Sequence, residues 1–264
     1  MGDVQPGLGV CVGVGVRVQH GRAEKVEELI SVDLRRDDYS NTMRKLSARN
    51  RTGTLWPGGA DTKMSEIERN LSILIDFYAQ AGVPRARFAP PATAQDFAVY
   101  RDAFGEEVPA GLAEIYAVIG SGPLLNDDLL SIEQVVATRR MWDGIIAESD
   151  DPDSDYHESI TSLDPDAVSA LYWKSGWVQF AMDGGGNGFA VDLVPEPGGT
   201  VGQVINVGSD EDYRAVLAVS VADFLARIVR LTGSGRVSLS DDGYTRIDDD
   251  DTVLTALCES RDSR

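Results

Sequence analysis

The fold is decided by residues 173–207, which read WKSGWVQFAMDGGGNGFAVDLVPEPGGTVGQVINV. This segment holds three apolar runs with strand character, Trp177–Ala181, Phe189–Val194 and Gly202–Val207. The two segments between them, Asp183–Gly188 and Pro195–Thr200, are rich in glycine, proline, aspartate and asparagine, which favour tight turns. Because loops this short cannot contain the crossover that parallel strands require, the segment predicts a three-stranded antiparallel meander.

The flanking sequence predicts helices that cover the apolar face of this meander. A small polar residue that can cap a helix stands before an apolar pattern of helical spacing at Ser65, Thr93, Ser131 and Ser220. A further helix is expected to start at Pro109 and to end at Gly120, and Arg214–Val219 is predicted to form a fourth strand. The predicted class is therefore α+β, with an antiparallel meander of about four strands covered by N-terminal helices and one closing helix.

Three segments follow from this pattern. Residues 1–63 lack sustained periodicity and are predicted to be a largely disordered extension, and Met64 stands directly before the first helix start, which suggests that the native product begins there. Residues 64–234 are predicted to form a single α+β domain. Residues 235–264 are predicted to form an acidic hairpin and tail, in which Asp248–Asp251 could cap a last short helix.

Charge and composition exclude several classes of function. The formal net charge is −19, and residues 64–264 alone carry −21. Such a surface repels nucleic-acid phosphates and attracts basic proteins. No apolar run is long enough to cross a bilayer, and the two cysteines form neither a metal motif nor a disulfide framework. We therefore expect a cytoplasmic protein with no cofactor, no bound metal and no membrane or nucleic-acid partner.

Catalytic patterns are missing from the sequence. The two histidines, His20 and His157, lie in segments that contain no matching catalytic motif, and the sequence has no nucleophile elbow or phosphate-binding loop. Asp192 interrupts an apolar strand and is expected either to face outward or to bond to the Gly-rich turn. The aromatic residues near the first strand could pack in the core or form an exposed anchor for a partner: Tyr172, Trp173, Trp177 and Phe180.

Taken in order, these features resemble the SUKH superfamily, which includes the yeast cell-wall assembly regulator and many bacterial toxin-immunity proteins. The resemblance covers roughly residues 66–232, and it departs from the family at Gln179, where proline is usual. The positions that match the family pattern are Pro109, Tyr116, Gly120, Trp177, Asp183, Gly185, Asn187, Asp192, Gly199, Gly202 and Phe224.

The resemblance implies a protein-binding fold without a catalytic centre. The preferred hypothesis is an immunity protein that neutralises a basic, nuclease-type toxin, and the alternative is a regulatory or scaffolding domain without a toxin partner. The expected partner-binding surface is an acidic loop with Asp150, Asp151, Asp153, Asp155 and Glu158. A third hypothesis, an enzyme, would require Asp183, Asp192 and Tyr172 to meet beside an open cavity. The oligomeric state is left open.

Overall fold

The computed structural model describes residues 64–80, 88–148, 160–240, 245–248 and 252–259. The predicted disorder of residues 1–63 and the acidic loop at 150–158 lie outside these residues. The helices of the described part are α1 Glu66–Gln80, α2 Ala94–Phe104, α3 Ala110–Tyr116, α4 Ile132–Glu148, α5 Val221–Gly233 and α6 Val253–Glu259. The strands are β1 Gly122–Leu124, β2 Asp127–Leu129, β3 Thr161–Ser162, β4 Trp177–Met182, β5 Gly188–Asp192, β6 Gln203–Val207, β7 Tyr213–Arg214, β8 Val216–Ala218, β9 Val237–Leu239 and β10 Thr245–Ile247.

The predicted antiparallel meander is confirmed. Strand β4 pairs with β5, β5 pairs with β6, and β6 pairs with β8, which is the predicted fourth strand. The turn between β4 and β5 uses Gly184 at φ 85° and Gly186 at φ 105°, and Gly202 before β6 has φ 91°. These backbone angles are strained for residues with a Cβ atom, so the glycines are required by the turns themselves.

A hairpin that the sequence analysis did not predict extends the sheet. Strands β1 and β2 pair antiparallel, and β2 joins β4, which gives six strands in the order β1-β2-β4-β5-β6-β8. The turn of this hairpin contains Leu125, the one non-glycine residue in the described part of the chain with positive φ, at 59°. Its N–H donates to the Tyr78 hydroxyl of α1 at 2.8 Å. A buried contact to the first helix therefore holds the turn, instead of a glycine within it.

Both faces of the sheet are buried, whereas the sequence analysis expected a single covered face. All five residues of β5 and of β6 are buried. One face, with Phe180, Phe189 and Val191, packs in the larger core against the helices. The other face lies under a second core that consists of Trp142, Val168, Trp173, Trp177, Ala190, Ile205 and Val207.

The aromatic residues of the meander belong to these two cores and not to an exposed anchor. Phe180 packs edge-to-face on Phe224 of α5, with ring centroids 5.6 Å apart. In the second core Trp142 of α4 stacks on Trp173 at 5.5 Å, and Trp173 meets Trp177 edge-to-face at 5.9 Å. Trp173, Trp177 and Phe180 are each at most 2% exposed. Core packing, the first of the two interpretations of this cluster, is confirmed for these three residues.

The predicted helix starts are confirmed, and four of them have the same kind of hydrogen-bonded cap. At Ser65, Thr93, Ser131 and Ser220 the side-chain oxygen accepts the N–H of the third following residue. At Ser65 the carboxylate of Glu68 returns a bond to the Ser65 N–H, at 2.8 Å. Each cap satisfies backbone donors that the first turn of a helix leaves free.

The described residues after 235 contribute to the larger core. Strands β9 and β10 form the expected hairpin, and Val237, Ile247, Leu254 and Leu257 are buried with the helices. The Thr252 hydroxyl accepts the Thr255 N–H at 3.1 Å at the start of α6. This threonine, which follows the acidic run of residues 248–251, therefore serves as a cap for the last helix.

Gly120 does not end a helix, contrary to the expectation from the sequence. Helix α3 already ends at Tyr116, and the chain makes one further turn before Gly120. The Gly120 N–H donates to the Ala89 carbonyl at 3.1 Å, and a Cβ at this position would lie 2.5 Å from the Pro90 carbonyl oxygen. Glycine is needed here because two backbone segments touch.

We expect Gly120→Ala to lower the free energy of unfolding by about 1–3 kcal/mol, because the new methyl group collides with a backbone atom that cannot rotate away. The matched control is Gly144→Ala in α4, where a Cβ meets nothing within 4 Å. That substitution should raise stability by about 0.5–1 kcal/mol through helix propensity. Urea denaturation of both variants checks the pair, and equal effects at the two positions would contradict the close-contact explanation.

Candidate protein-binding surface

The polar residues that the sequence predicts to be important within the meander lie at its two ends. Trp177 pairs with Asp192 at one end of the β4–β5 ladder, and Met182 pairs with Gly188 at the other. Asp183 therefore lies one strand length, about 16 Å, from Asp192. These two carboxylates do not converge, so the arrangement that the enzyme hypothesis requires is not formed.

Asp192 belongs to a structural network and does not face outward. It is fully buried, and its carboxylate accepts the Val194 N–H at 2.9 Å and the Gln203 side-chain amide at 3.0 Å. Burial raises the pKa of Asp192, whereas these two hydrogen bonds and the charge of Lys174 oppose the shift. The alternation argument failed here because the second core covers the face on which Asp192 lies.

The turn between β5 and β6 is held by the same network. Gln203 also donates to the Ala167 carbonyl at 2.8 Å and accepts the Thr200 N–H at 3.0 Å. A Cβ at Gly199 would lie 2.5 Å from that Ala167 carbonyl oxygen. Asp192, Gly199 and Gly202 therefore shape and fix a turn.

Most of the remaining family-pattern residues are committed to packing. The buried Tyr116 hydroxyl donates to the Leu130 carbonyl at 2.8 Å, and burial raises its pKa. Phe224 is fully buried between Phe180 and Phe189. Pro109 precedes α3, where its carbonyl accepts the Ala113 N–H. Gln179, which stands where the family usually has proline, accepts the indole N–H of Trp142 at 2.9 Å.

The opposite end of the meander presents polar groups at the surface. Asp183 accepts the N–H groups of Gly185 at 2.7 Å and Asn187 at 3.2 Å, and also the Asn187 side-chain amide at 3.1 Å. The Asn187 carbonyl oxygen in turn accepts the Asp210 N–H at 3.0 Å. The turn after β4 is thereby tied to the segment that follows β6, and both are held in one arrangement.

Six carboxylates gather at this end of the sheet, which we call the acidic end: Asp127, Asp128, Asp183, Asp210, Glu211 and Asp212. No salt bridge in the described part of the chain involves any of them. Arg214 is close enough to act on Glu211, but its guanidinium donates to the carbonyls of Tyr172, Glu211 and Tyr213. Burial lowers the pKa of Arg214 to about 10.

Asp127 is the exceptional member of the acidic end. The residue is only 7% exposed, and none of the ion pairs or hydrogen bonds found in the described part of the chain includes its side chain. Burial, followed by the charges of Asp183, Asp128 and Glu211, raises its pKa to about 7. A buried carboxyl group without a donor is costly to ionise.

Sequence reasoning missed this region because it predicted neither β1 nor β2. The available signal was the run LLNDDLL at residues 124–130, in which leucine pairs flank Asn-Asp-Asp. Apolar runs on either side of a short polar segment are a hairpin pattern. No group of three or more His, Cys, Asp or Glu residues among the described positions could hold a metal ion. None of the helices described is long and apolar enough to span a membrane.

A second candidate surface is a groove of about 310 Å³ between the β5–β6 turn and β8. Strand β8 forms one edge of the six-stranded sheet, where a peptide could add as a further strand. The Val216 N–H, however, donates to the Asp164 carboxylate at 2.8 Å, and the Val219 N–H donates to Asp223 at 3.4 Å. Because side chains of the same chain occupy these donors, the acidic end is the better candidate for binding.

Asp127→Asn should change stability with a distinct pH dependence. The folded-state pKa of Asp127 lies above the unfolded value of about 3.9, so ionisation of wild-type Asp127 lowers stability as the pH rises from about 4 to about 7. Asparagine does not ionise, so the variant does not lose stability in this pH range by this route. We expect the variant to exceed the wild type in unfolding free energy by at most about 4 kcal/mol above pH 7, at about 1.4 kcal/mol per pKa unit.

Urea denaturation between about pH 5.5 and about pH 8.5 measures this difference, which should widen up to about pH 7 and then level off. The control is Asp102→Asn, which removes the same charge from an exposed position on α2. Parallel stability profiles for the wild type and Asp127→Asn would contradict the raised pKa.

Comparison with known proteins places this fold in a family. A family model described as "SMI1 / KNR4 family (SUKH-1)" matches residues 91–227, just over half of the chain. This range runs from the start of the α2 cap region to the middle of α5 and includes β1 to β8. It therefore contains the meander, both of its turns and the acidic end.

Named relatives agree with this match. "Cell wall biosynthesis/cell cycle regulator smi1" of Schizosaccharomyces pombe is 33% identical over 128 residues, which are 46% of this chain and 25% of that protein. "Glucan synthesis regulatory protein" of Neurospora crassa is 41% identical over 81 residues, 31% of this chain and 15% of that protein. "Cell wall assembly regulator SMI1" of Saccharomyces cerevisiae is 35% identical over 81 residues, with shares of 31% and 16%.

These relatives are named as regulators, and the matched segment spans a quarter or less of the length of each of the three. The resemblance seen in the sequence and the family match concern the same elements, the meander with its glycine turns and the closing helix. The chain belongs to the SMI1/KNR4 family (SUKH-1).

Proposed function

We propose that this chain acts as a non-catalytic protein-binding domain in a regulatory role, and that it uses the acidic end to bind a basic surface of its partner. The regulatory role is supported by the names of the fungal relatives, which are regulators of cell-wall assembly or glucan synthesis. The protein-binding role is supported by the distribution of charge in the fold.

The observation that carries this proposal is the set of six carboxylates with no ion pair in the described structure. Hydrogen-bonded turns hold these like charges close together, and their mutual repulsion opposes folding. A basic partner would relieve this repulsion and would be steered toward it, with an association rate that falls as salt rises. Elsewhere, basic residues such as Arg139, Lys174 and Arg227 are paired with carboxylates of the chain itself.

Toxin immunity is a second candidate function that the same surface favours. A nuclease-type toxin is basic because it grips phosphates, so an acidic inhibitor could occupy its active surface. The acidic loop with Asp150, Asp151, Asp153, Asp155 and Glu158 stays a proposed contact in either case. The named relatives support the regulatory role more than immunity, and we therefore prefer the former.

Affinity purification from the native cell tests this function. The bait is compared with a variant in which three exposed carboxylates of the acidic end are neutralised, Asp128→Asn, Asp210→Asn and Asp212→Asn. A control variant carries Asp102→Asn, Glu114→Gln and Glu133→Gln, which remove three exposed charges from the helices. We expect a basic protein to be recovered with the wild type and the control and to be depleted with the acidic-end variant.

The recovered protein is then purified, and its association rate is measured. Loss of the three charges should slow association by about tenfold at low salt, and the gap should close at high salt. Equal recovery with all three baits, or no protein above background with the wild type, would overturn the proposal. A recovered toxin would favour immunity over regulation.

A further inference from the structure

We propose that Asp127 forms the base of a recognition pocket for a single lysine or arginine side chain of the partner, with Asp183 as the second carboxylate. This inference rests on the proposed protein-binding function and goes further, because it assigns one buried group and the chemical class of its ligand. The pocket lies where the start of β2 meets the turn after β4, since the neighbouring pair Asp128 and Met182 is in register.

The first argument is that Asp127 is buried without a donor. Two other buried polar side chains of the sheet have partners within the chain: Asp192 has two donors, and Gln203 has three bonds. Asp127 is 7% exposed and has no such bond in the described structure. With little solvent around it and no donor in the described structure, the ionised carboxylate of Asp127 is poorly stabilised. A group that weakens the fold in this way is typical of a site kept ready for a ligand.

The second argument concerns the charge that the ligand must carry. The charged groups that act on Asp127 are the carboxylates of Asp183, Asp128 and Glu211, and all three are negative. Their combined field favours a cation strongly and rejects an anion. No basic side chain in the described part of the chain pairs with Asp127, and we assign the positive charge to the partner protein.

The geometry favours an organic cation over a metal ion. Calcium needs six to eight oxygen ligands and magnesium six, but Asp183 already accepts three N–H bonds from Gly185 and Asn187. No three-ligand cluster exists in the part of the chain that the structure describes. An ammonium or guanidinium group, in contrast, needs only one strong charge-assisted bond and can direct its other donors to carbonyls or water.

Hydrogen bonds also hold the two sides of the proposed pocket in place. The N–H of Leu125, two residues before Asp127, is bonded to the buried Tyr78 hydroxyl, and Asn187 ties the facing turn to Asp210. Burial is the main cause that raises the pKa of Tyr78 to about 12. The hydrogen bond from Leu125 lowers this pKa, and the charges of Asp128 and Asp127 raise it. Tyr78 is therefore neutral at physiological pH and adds no charge that would compete for the ligand. Preorganised groups lose little entropy on binding.

Protonation should control this site. The charges of Asp128 on β2, Asp183 after β4 and Glu211 after β6 act on Asp127, and Asp127 in turn acts on Tyr78 of α1. With a pKa of about 7, Asp127 is largely ionised only above neutral pH, and a bound cation stabilises the ionised form. Affinity for a basic side chain should therefore fall as the pH is lowered through 7.

The test is an NMR titration of the isotope-labelled full chain with three short peptides that differ at one position, which is arginine, lysine or citrulline. Citrulline has nearly the shape of arginine without its charge. We expect saturable shifts at the amides of Asp127, Gly185 and Asn187 with the arginine and lysine peptides and none with the citrulline peptide. Asp127→Asn should weaken binding by at least about tenfold and remove its pH dependence, whereas Asp102→Asn should leave both unchanged.

Three results would overturn the inference: equal weakening by the two variants, saturable binding of the citrulline peptide, or saturable binding of calcium chloride at the same amides. The folded state of Asp127→Asn is checked by its own spectrum, and the pH dependence of the wild type provides a test that needs no variant. Recovery of a basic partner in the purification experiment, together with any of these results, would leave the proposed function intact and reject the Asp127 pocket alone.

Discussion

The structure depends on the burial of both faces of strands β5 and β6. Burial on two sides leaves no water for polar side chains in these strands, so each has to find a partner within the protein. Asp192 and Gln203 bond to the turn that joins the two strands. Asn206 donates to the Tyr213 carbonyl at 2.8 Å and accepts the Ala215 N–H at 2.7 Å, which fixes the path of the chain toward β8. Polar residues inside the sheet thereby determine the shape of its loops.

Local signals were sufficient to predict the central architecture. A cap such as Ser65 or Ser220 acts within four residues, and the glycines at 184, 186 and 202 act within a single turn. The residues next to each position are therefore sufficient to predict these helix starts and turns. The second core could not be predicted in the same way. Its cover includes Val168 and Trp173, which lie in irregular segments that have no hydrophobic periodicity. Only the tertiary structure brings these two residues onto the sheet. The outward orientation expected for Asp192 failed for this reason.

The candidate site was harder to predict than the fold. The β1–β2 hairpin has three-residue strands, and Leu125 occupies the turn position at which glycine is the usual signal. The compensating bond to Tyr78 spans 47 residues of sequence. Asp127 begins β2 and Asp192 ends β5, and the sequence alone does not show how the two carboxylates differ. Only the structure shows that Asp192 has two donors and that Asp127 has none among the residues described.

The closed edge at β8 has a consequence for how this fold behaves at high concentration. Asp164 and Asp223 occupy the outward N–H groups of Val216 and Val219, which would otherwise offer a template to another strand. Exposed strand edges are the places where sheets of different molecules join into fibrils. A strand of another molecule that approaches the β8 edge finds these two donors already bonded, which lowers the tendency of copies to join through this edge at high concentration.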